Sequence, residues 1–157
     1  MPDDDPLELA LERLHARLPD ANPHFANHAS MAIEAIATLG RPESILPWFD
    51  AHTDLSGTRQ AARAPIDRQD WRAALARPER FADWQALFLE ELEHEEWKVV
   101  VGRWAPRLAP GLAGAATHGV IRTAHAARAV DVRASAIRRR ELATGLAYWA
   151  ASYQELP

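Results

Sequence analysis

The sequence contains no cysteine. That one absence excludes disulfides, thiolate metal sites, iron–sulfur clusters and cysteine nucleophiles together. No stretch approaches the roughly 18–20 uninterrupted apolar residues of a membrane-spanning helix. Several chemistries lack their motif. There is no Gly-rich dinucleotide fingerprint, no phosphate-cradling G-x-x-x-x-G-K-[ST] and no H-E-x-x-H. No G-x-S-x-G elbow supplies a hydrolase nucleophile. The opening Met1–Pro6 is acidic and has no apolar run, which reads as neither signal nor transit peptide, so a cytoplasmic location is expected. Lysine is nearly missing as well: Lys98 stands alone among eighteen basic residues.

What is present describes a globular chain. With 157 residues, 48% hydrophobic and 25% charged, it can bury a core without cross-links, and a single helical domain over 1–157 is expected. The net charge of −4 is unevenly laid out. Nineteen of the twenty-two acids precede Trp97, while nine of the eighteen bases follow Glu96. A basic second half can serve nucleic acid or phosphate, or it can pack against the acidic helices of the first half. The second option needs no partner. Neither nucleic acid nor membrane is expected as one.

Every long periodic segment has helical spacing. Asp5 followed by Pro6 predicts a helix over 6–18, with Leu7, Leu11, Leu14 and Leu18 on one stripe and Pro19 as its stop. A second helix is expected over 28–39, from Asn27 as cap to Gly40 just past its end. Pro42 opens a short third helix carrying Ile45, Leu46, Trp48 and Phe49, and 53–66 reads as a loop. Asp67–Ala76 is expected to be a short helix and 79–94 a longer one. Trp97, Val100, Val101 and Trp104 continue the helical spacing, interrupted near Gly102 and ended by Pro106. Helices over 114–131 and 135–154 follow. Ser135 caps the last, which carries Leu142, Leu146, Trp149 and Tyr153 along one stripe. No period-2 alternation of useful length competes. The expected fold class is all-α, an array of about six to eight helices.

Without cysteine, the seven histidines are the first candidates for metal ligation or acid–base work. His15 and His52 lie in no partner pattern. In Asn22-Pro23-His24-Phe25-Ala26-Asn27-His28, one histidine sits in a loop and the other at a helix N-terminus. The macrodipole there disfavours imidazolium, leaving a neutral ring able to coordinate a cation. Alternatively, Asn27 and His28 only cap the helix. His118, Arg122 and His125 fall at i, i+4 and i+7 on one helix face, among Gly114, Ala115, Gly119 and Ala126, which are small enough to admit a second backbone or a flat ligand. Unless that face is exposed, its polar groups need partners. Glu91 and His94 form an E-x-x-H pattern of the kind di-iron bundles use. Glu90–Glu96, however, reads as a solvated acidic face.

Asn27-His28-Ala29-Ser30-Met31-Ala32, followed by Leu39-Gly40 and Leu46-Pro47-Trp48, resembles the opening of questin oxidase-like proteins. Trp104-Ala105-Pro106-Arg107-Leu108-Ala109-Pro110-Gly111 running into His118-Gly119-Val120-Ile121-Arg122 is similar to that family's central signature, and Ala147-Tyr148-Trp149-Ala150 through Tyr153 to the segment after it. The resemblance implies a helical, flavin-independent oxygenase. It would oxidise aromatic polyketides such as anthraquinones in a Baeyer–Villiger-like or dioxygenase-like step, with NADPH as reductant and histidine-bound non-haem iron. Carried over by motif, it implies His28 and His118 as metal ligands, with His24 and His125 beside them. Arg122 would orient a substrate oxygen or an anionic enolate, and Trp104 and Trp149 would wall an aromatic pocket or pack in the core. His28 and His118 are therefore expected to converge. Family members are longer, so the chain resembles their N-terminal half, and a C-terminal half or a second copy is expected to complete it. A non-catalytic helical interaction or dimerisation module is the alternative from a different class.

Overall fold

Asp5 opens the first helix with its own side chain: Oδ1 accepts the Leu7 N–H at 2.9 Å, satisfying a donor that the first turn leaves without a partner. In the computed structural model, which describes residues 5–17, 28–52 and 61–157, this helix, α1 (Pro6–Arg17), buries Leu7, Leu11 and Leu14. Leu18, Pro19, His24, Asn27 and the loop positions 53–60 lie outside the described residues. The second helix, α2 (Ala29–Thr38), ends where Gly40 takes the left-handed φ of +71°. Gly40 N–H then donates to Ala37 O at 3.0 Å and Arg41 N–H to Ile36 O at 3.2 Å, closing the last carbonyls. The third, α3 (Ile45–His52), adds Ile45 and Phe49 to a small core shared with Leu11, Leu14 and Ile33.

The second half supplies α4 (Phe81–His94), α5 (Trp97–Leu108), α6 (His118–Val132) and α7 (Ala136–Ala151). The fold is all-α. Among the described residues there are seven α-helices, and the isolated bridge between Leu112 and Gln154 is the one strand-like pairing. None of these helices is long and apolar enough to cross a membrane.

α7 is the axis of the fold, packed against α6, α4, α1 and α5. Ser135 caps it, Oγ accepting the Arg138 N–H at 3.4 Å. Spacing alone predicts one apolar stripe, yet every residue from Glu141 to Ala151 is buried. The reason is side-chain size. Ala143, Gly145, Ala147 and Ala150 let neighbours close in on the faces that Leu142 and Leu146 do not occupy, and a Cβ on Gly145 would lie 3.0 Å from the Thr123 Cα. Complete burial of Leu142 and Leu146 contributes about 1.5–3 kcal/mol each.

Other boundaries differ from the sequence expectation too, and α7 itself ends at Ala151 rather than 154, leaving Tyr153 beyond it. α5 runs through Gly102 and Pro106 to Leu108; Pro106 has no N–H for the Gly102 carbonyl, and the helix ends two residues beyond it. Only Trp71–Ala74 of 67–76 is helical, as a single 3-10 turn, while Asp67 Oδ1 accepts the Gln69 N–H at 2.8 Å and holds the preceding residues in a bend. α6 begins at His118 rather than 114, since Ala115, Ala116 and Thr117 all have positive φ.

Trp104 is a core ring, not a pocket wall. It meets Trp71, Trp84 and Phe88 edge to face at centroid distances of 5.4, 5.6 and 5.1 Å. Its Nε1–H donates to Glu91 Oε2 at 2.7 Å. Arg68 and Arg103 bind the same carboxylate, so the acid of the E-x-x-H pattern is committed to the core. His94 instead turns Nδ1 to the Glu90 carbonyl at 2.7 Å. The charge asymmetry resolves in the same way. Arg138 reaches Asp5 and Glu8 at 2.5 and 3.0 Å, and Arg128 reaches Glu34 at 2.5 Å, pairing the basic second half with the acidic first.

Candidate functional site

α2 and α6 lie side by side with the same chain direction, as their cross-contacts show: His28 meets His118, and further along Glu34 meets His125 and Arg128. Both histidines of the first contact stand at helix starts, His28 as the N-cap of α2 and His118 as the first residue of α6. Their Nε2 atoms are 2.9 Å apart, with the rings nearly perpendicular at 89°. A contact of that length holds one hydrogen between the two nitrogens at most.

The other nitrogen of His118 decides which ring supplies it. Nδ1 lies 2.7 Å from Ala115 O and 3.1 Å from Ala116 O. Carbonyls only accept, so Nδ1 carries the hydrogen and the neutral ring presents its lone pair at Nε2. His28 Nε2–H then donates to it. Backbone carbonyls hold metal-bound histidines in the same way, by bonding the nitrogen that does not ligate. The 2.9 Å separation also suits two neighbouring imidazole ligands on one ion, each about 2.0–2.1 Å from it. The donor set fits a shared cation, as two ligands of a larger set, once the His28 hydrogen moves from Nε2 to Nδ1. Among the described residues, no third His, Cys, Asp or Glu joins them in a metal-binding group.

The turn that feeds His118 is strained. Ala115, Ala116 and Thr117 adopt φ of 49°, 50° and 68°, a left-handed run that costs roughly 1–2 kcal/mol per non-glycine residue. Three glycines around it seat against the end of α7. A Cβ would fall 2.1 Å from the Tyr153 ring at Gly111, 1.8 Å from Ser152 O at Gly114 and 2.6 Å from the Trp149 Cα at Gly119. The small residues of this segment thus admit a second backbone, that of α7, and Trp149 is buried in that contact.

Arg122 and His125 part from His118 although they share its face in sequence. At about 100° per residue, Arg122 is rotated about 40° one way and His125 about 20° the other. Arg122 points to α7, where Nε and Nη2 reach Glu141 Oε1 and Oε2 at 2.7 and 3.1 Å. It is 2% exposed. His15 Nε2 approaches the same carboxylate at 2.9 Å, joining α1 to the pair. Burial alone would raise the Glu141 carboxyl, but the Arg122 charge and the His15 contact hold it far below the ordinary carboxylate range. His125 lies about 10 Å along α6 from His118 and directs Nδ1 to Glu34 Oε2 at 2.5 Å. Burial raises Glu34 too. Bonds from Arg128, Thr38 and His125, with the Arg128 charge, bring it below its ordinary value. His24 lies outside the described residues.

A family model described as questin oxidase-like matches residues 25–157. The chain belongs to the questin oxidase-like family. The match takes in His28, His118, Arg122, His125 and Glu141, all but the first of the seven helices and none of α1. Searches of curated proteins and of solved structures give no match.

Two residues of the buried cluster around Arg122 escaped the sequence reading. His15 stands four residues after Leu11, on the buried stripe of α1, and that position is the signal that it needs an internal partner. Glu141 is one of only three acids after Glu96 and follows three consecutive arginines. A lone carboxylate so placed, four residues before a glycine in an Ala-rich helix, is a candidate for burial against a base.

Proposed function

We propose that this chain is the histidine-bearing part of a questin oxidase-like, flavin-independent oxygenase for aromatic polyketides such as anthraquinones, with His28 and His118 as ligands of a non-haem iron. One observation carries the reading: two Nε2 atoms 90 residues apart in the matched region meet at 2.9 Å, with the His118 lone pair turned toward His28. Bound there, iron would supply oxygen activation, with NADPH as the reductant of the overall reaction. The chain's own residues do the positioning. His28 and His118 present nitrogen donors from two helix starts, and the Ala115 carbonyl holds the proton of His118 on Nδ1. Arg122 acts from inside the fold, binding α6 to α7 through Glu141 rather than touching substrate. His125, oriented by Glu34, belongs to the next contact along the same seam. His24, which the resemblance implies as a ligand, is the candidate for a third donor.

The test is anaerobic titration of the metal-free chain with ferrous ion or with cobalt(II) as a spectroscopic substitute. One equivalent bound by the native chain, and none by H28A or H118A with unchanged helix content, supports the reading. Equal binding by all three overturns it. Oxygen uptake with an anthraquinone, iron and NADPH then tests the reaction class.

A further inference from the structure

We propose that the left-handed turn Ala115-Ala116-Thr117, clamped by the end of α7, is a positioning device that fixes the ring nitrogen His118 offers to the site. The proposal deepens the metal-site reading and rests on it for its purpose, but its geometry stands separately.

An ordinary helix start would give 115–117 right-handed dihedrals and aim their carbonyls along the axis of α6, toward the N–H groups of residues 119–121. Those carbonyls would then be lost to the His118 ring. The positive φ values turn Ala115 O and Ala116 O to within 2.7 and 3.1 Å of Nδ1. Thr117 Oγ1–H also donates to Ala116 O at 2.6 Å. None of the three residues is glycine, so the conformation has to be imposed from outside. The surroundings impose it. Gly111, Gly114 and Gly119 are in close contact with Tyr153, Ser152 and Trp149, and Gln154 N–H donates to Gly111 O at 3.4 Å. The segment before His118 is thereby held at both ends by one element, and the ring inherits its setting. A turn needed only to connect α5 to α6 would gain nothing from directing two carbonyls at one imidazole nitrogen. Where such outer contacts to a ligating histidine are removed, metal affinity falls roughly 10–100-fold.

The test uses the full chain, labelled with 15N at histidine, in native form and as the variants A115G/A116G and T117G. Long-range proton–nitrogen correlation spectra report which ring nitrogen of His118 is protonated, and cobalt(II) titration reports affinity. In the native chain His118 is expected as the Nδ1–H tautomer. The glycine variants relieve the backbone strain, so they should fold with equal or higher Tm. They should nevertheless show a mixture of tautomers and bind cobalt(II) about tenfold more weakly. A native His118 protonated at Nε2 overturns the proposal, and so do folded variants with the native tautomer and native affinity. T117G serves where the double variant fails to fold. If the native chain binds no cobalt(II) but the tautomer pattern is as expected, the metal reading fails and the positioning role stands.

Discussion

His28 and His118 are separated by 90 residues in sequence and by 2.9 Å in space, Nε2 to Nε2. The contact forms because α2 and α6 run in the same direction, so that two helix starts meet.

Breaking the buried Arg122–Glu141 pair should be costly. Arg122→Ala leaves the Glu141 carboxylate in the interior with His15 alone, and a loss of about 3–5 kcal/mol in unfolding free energy is expected. Replacing both partners, as in R122M/E141L, should recover much of that loss, since neither charge is then stranded. Urea denaturation of the three proteins measures it. A loss below about 1 kcal/mol for R122A would show that the guanidinium has another role.

Acid should destabilise the fold through Glu34 and Glu141. Both carboxyls titrate lower in the folded chain than their ordinary value of 4.5. The unfolded chain therefore takes up protons first. The stability these groups contribute is complete above that value and is lost as pH falls below it toward their folded values. Urea midpoints measured from pH 6 down to pH 3 should fall, and E34Q should start lower but decline less steeply. A midpoint that does not change across this range would contradict the assignment.

Two glycines should respond to alanine with opposite signs. Gly102 lies exposed in α5 with nothing within 4 Å of a Cβ position, so G102A is expected to stabilise by roughly 0.5–1 kcal/mol. At Gly119 the new Cβ would sit 2.6 Å from the Trp149 Cα. G119A must push α6 from α7, at about 1–3 kcal/mol, and displace His118 with it. Thermal melts give the signs, and cobalt(II) titration of G119A reads the displacement.

Removing Glu34 should loosen the second contact of the seam without touching the first. E34A leaves Arg128 and His125 without their common acceptor, with an expected loss of about 1–3 kcal/mol. Because His125 is not part of the His28–His118 contact, cobalt(II) affinity should change less than twofold, the span of ordinary context effects. A tenfold fall would mean that His125 ligates with them.

Local chemistry alone was enough to place the long helices, though not all of their ends. Asp5, Gly40 and Ser135 close helix ends with their own atoms or dihedrals, and the stripe Leu7–Leu11–Leu14 needs only the helical period to be read. The candidate histidines His28 and His118 were legible as well, because each sits in a family motif. Tertiary structure decided everything that depends on which helix lies beside which. Period cannot show that α7 is enclosed on all sides, because small residues leave room for neighbours without naming them. Nor can it separate His118 and His125, which meet α2 two turns apart at His28 and Glu34, from Arg122, which turns to Glu141 on α7. The left-handed run at 115–117 was least visible of all. Alanine and threonine do not favour it locally, and only the backbone of α7, pressed against Gly114 and Gly119, makes it the conformation that fits.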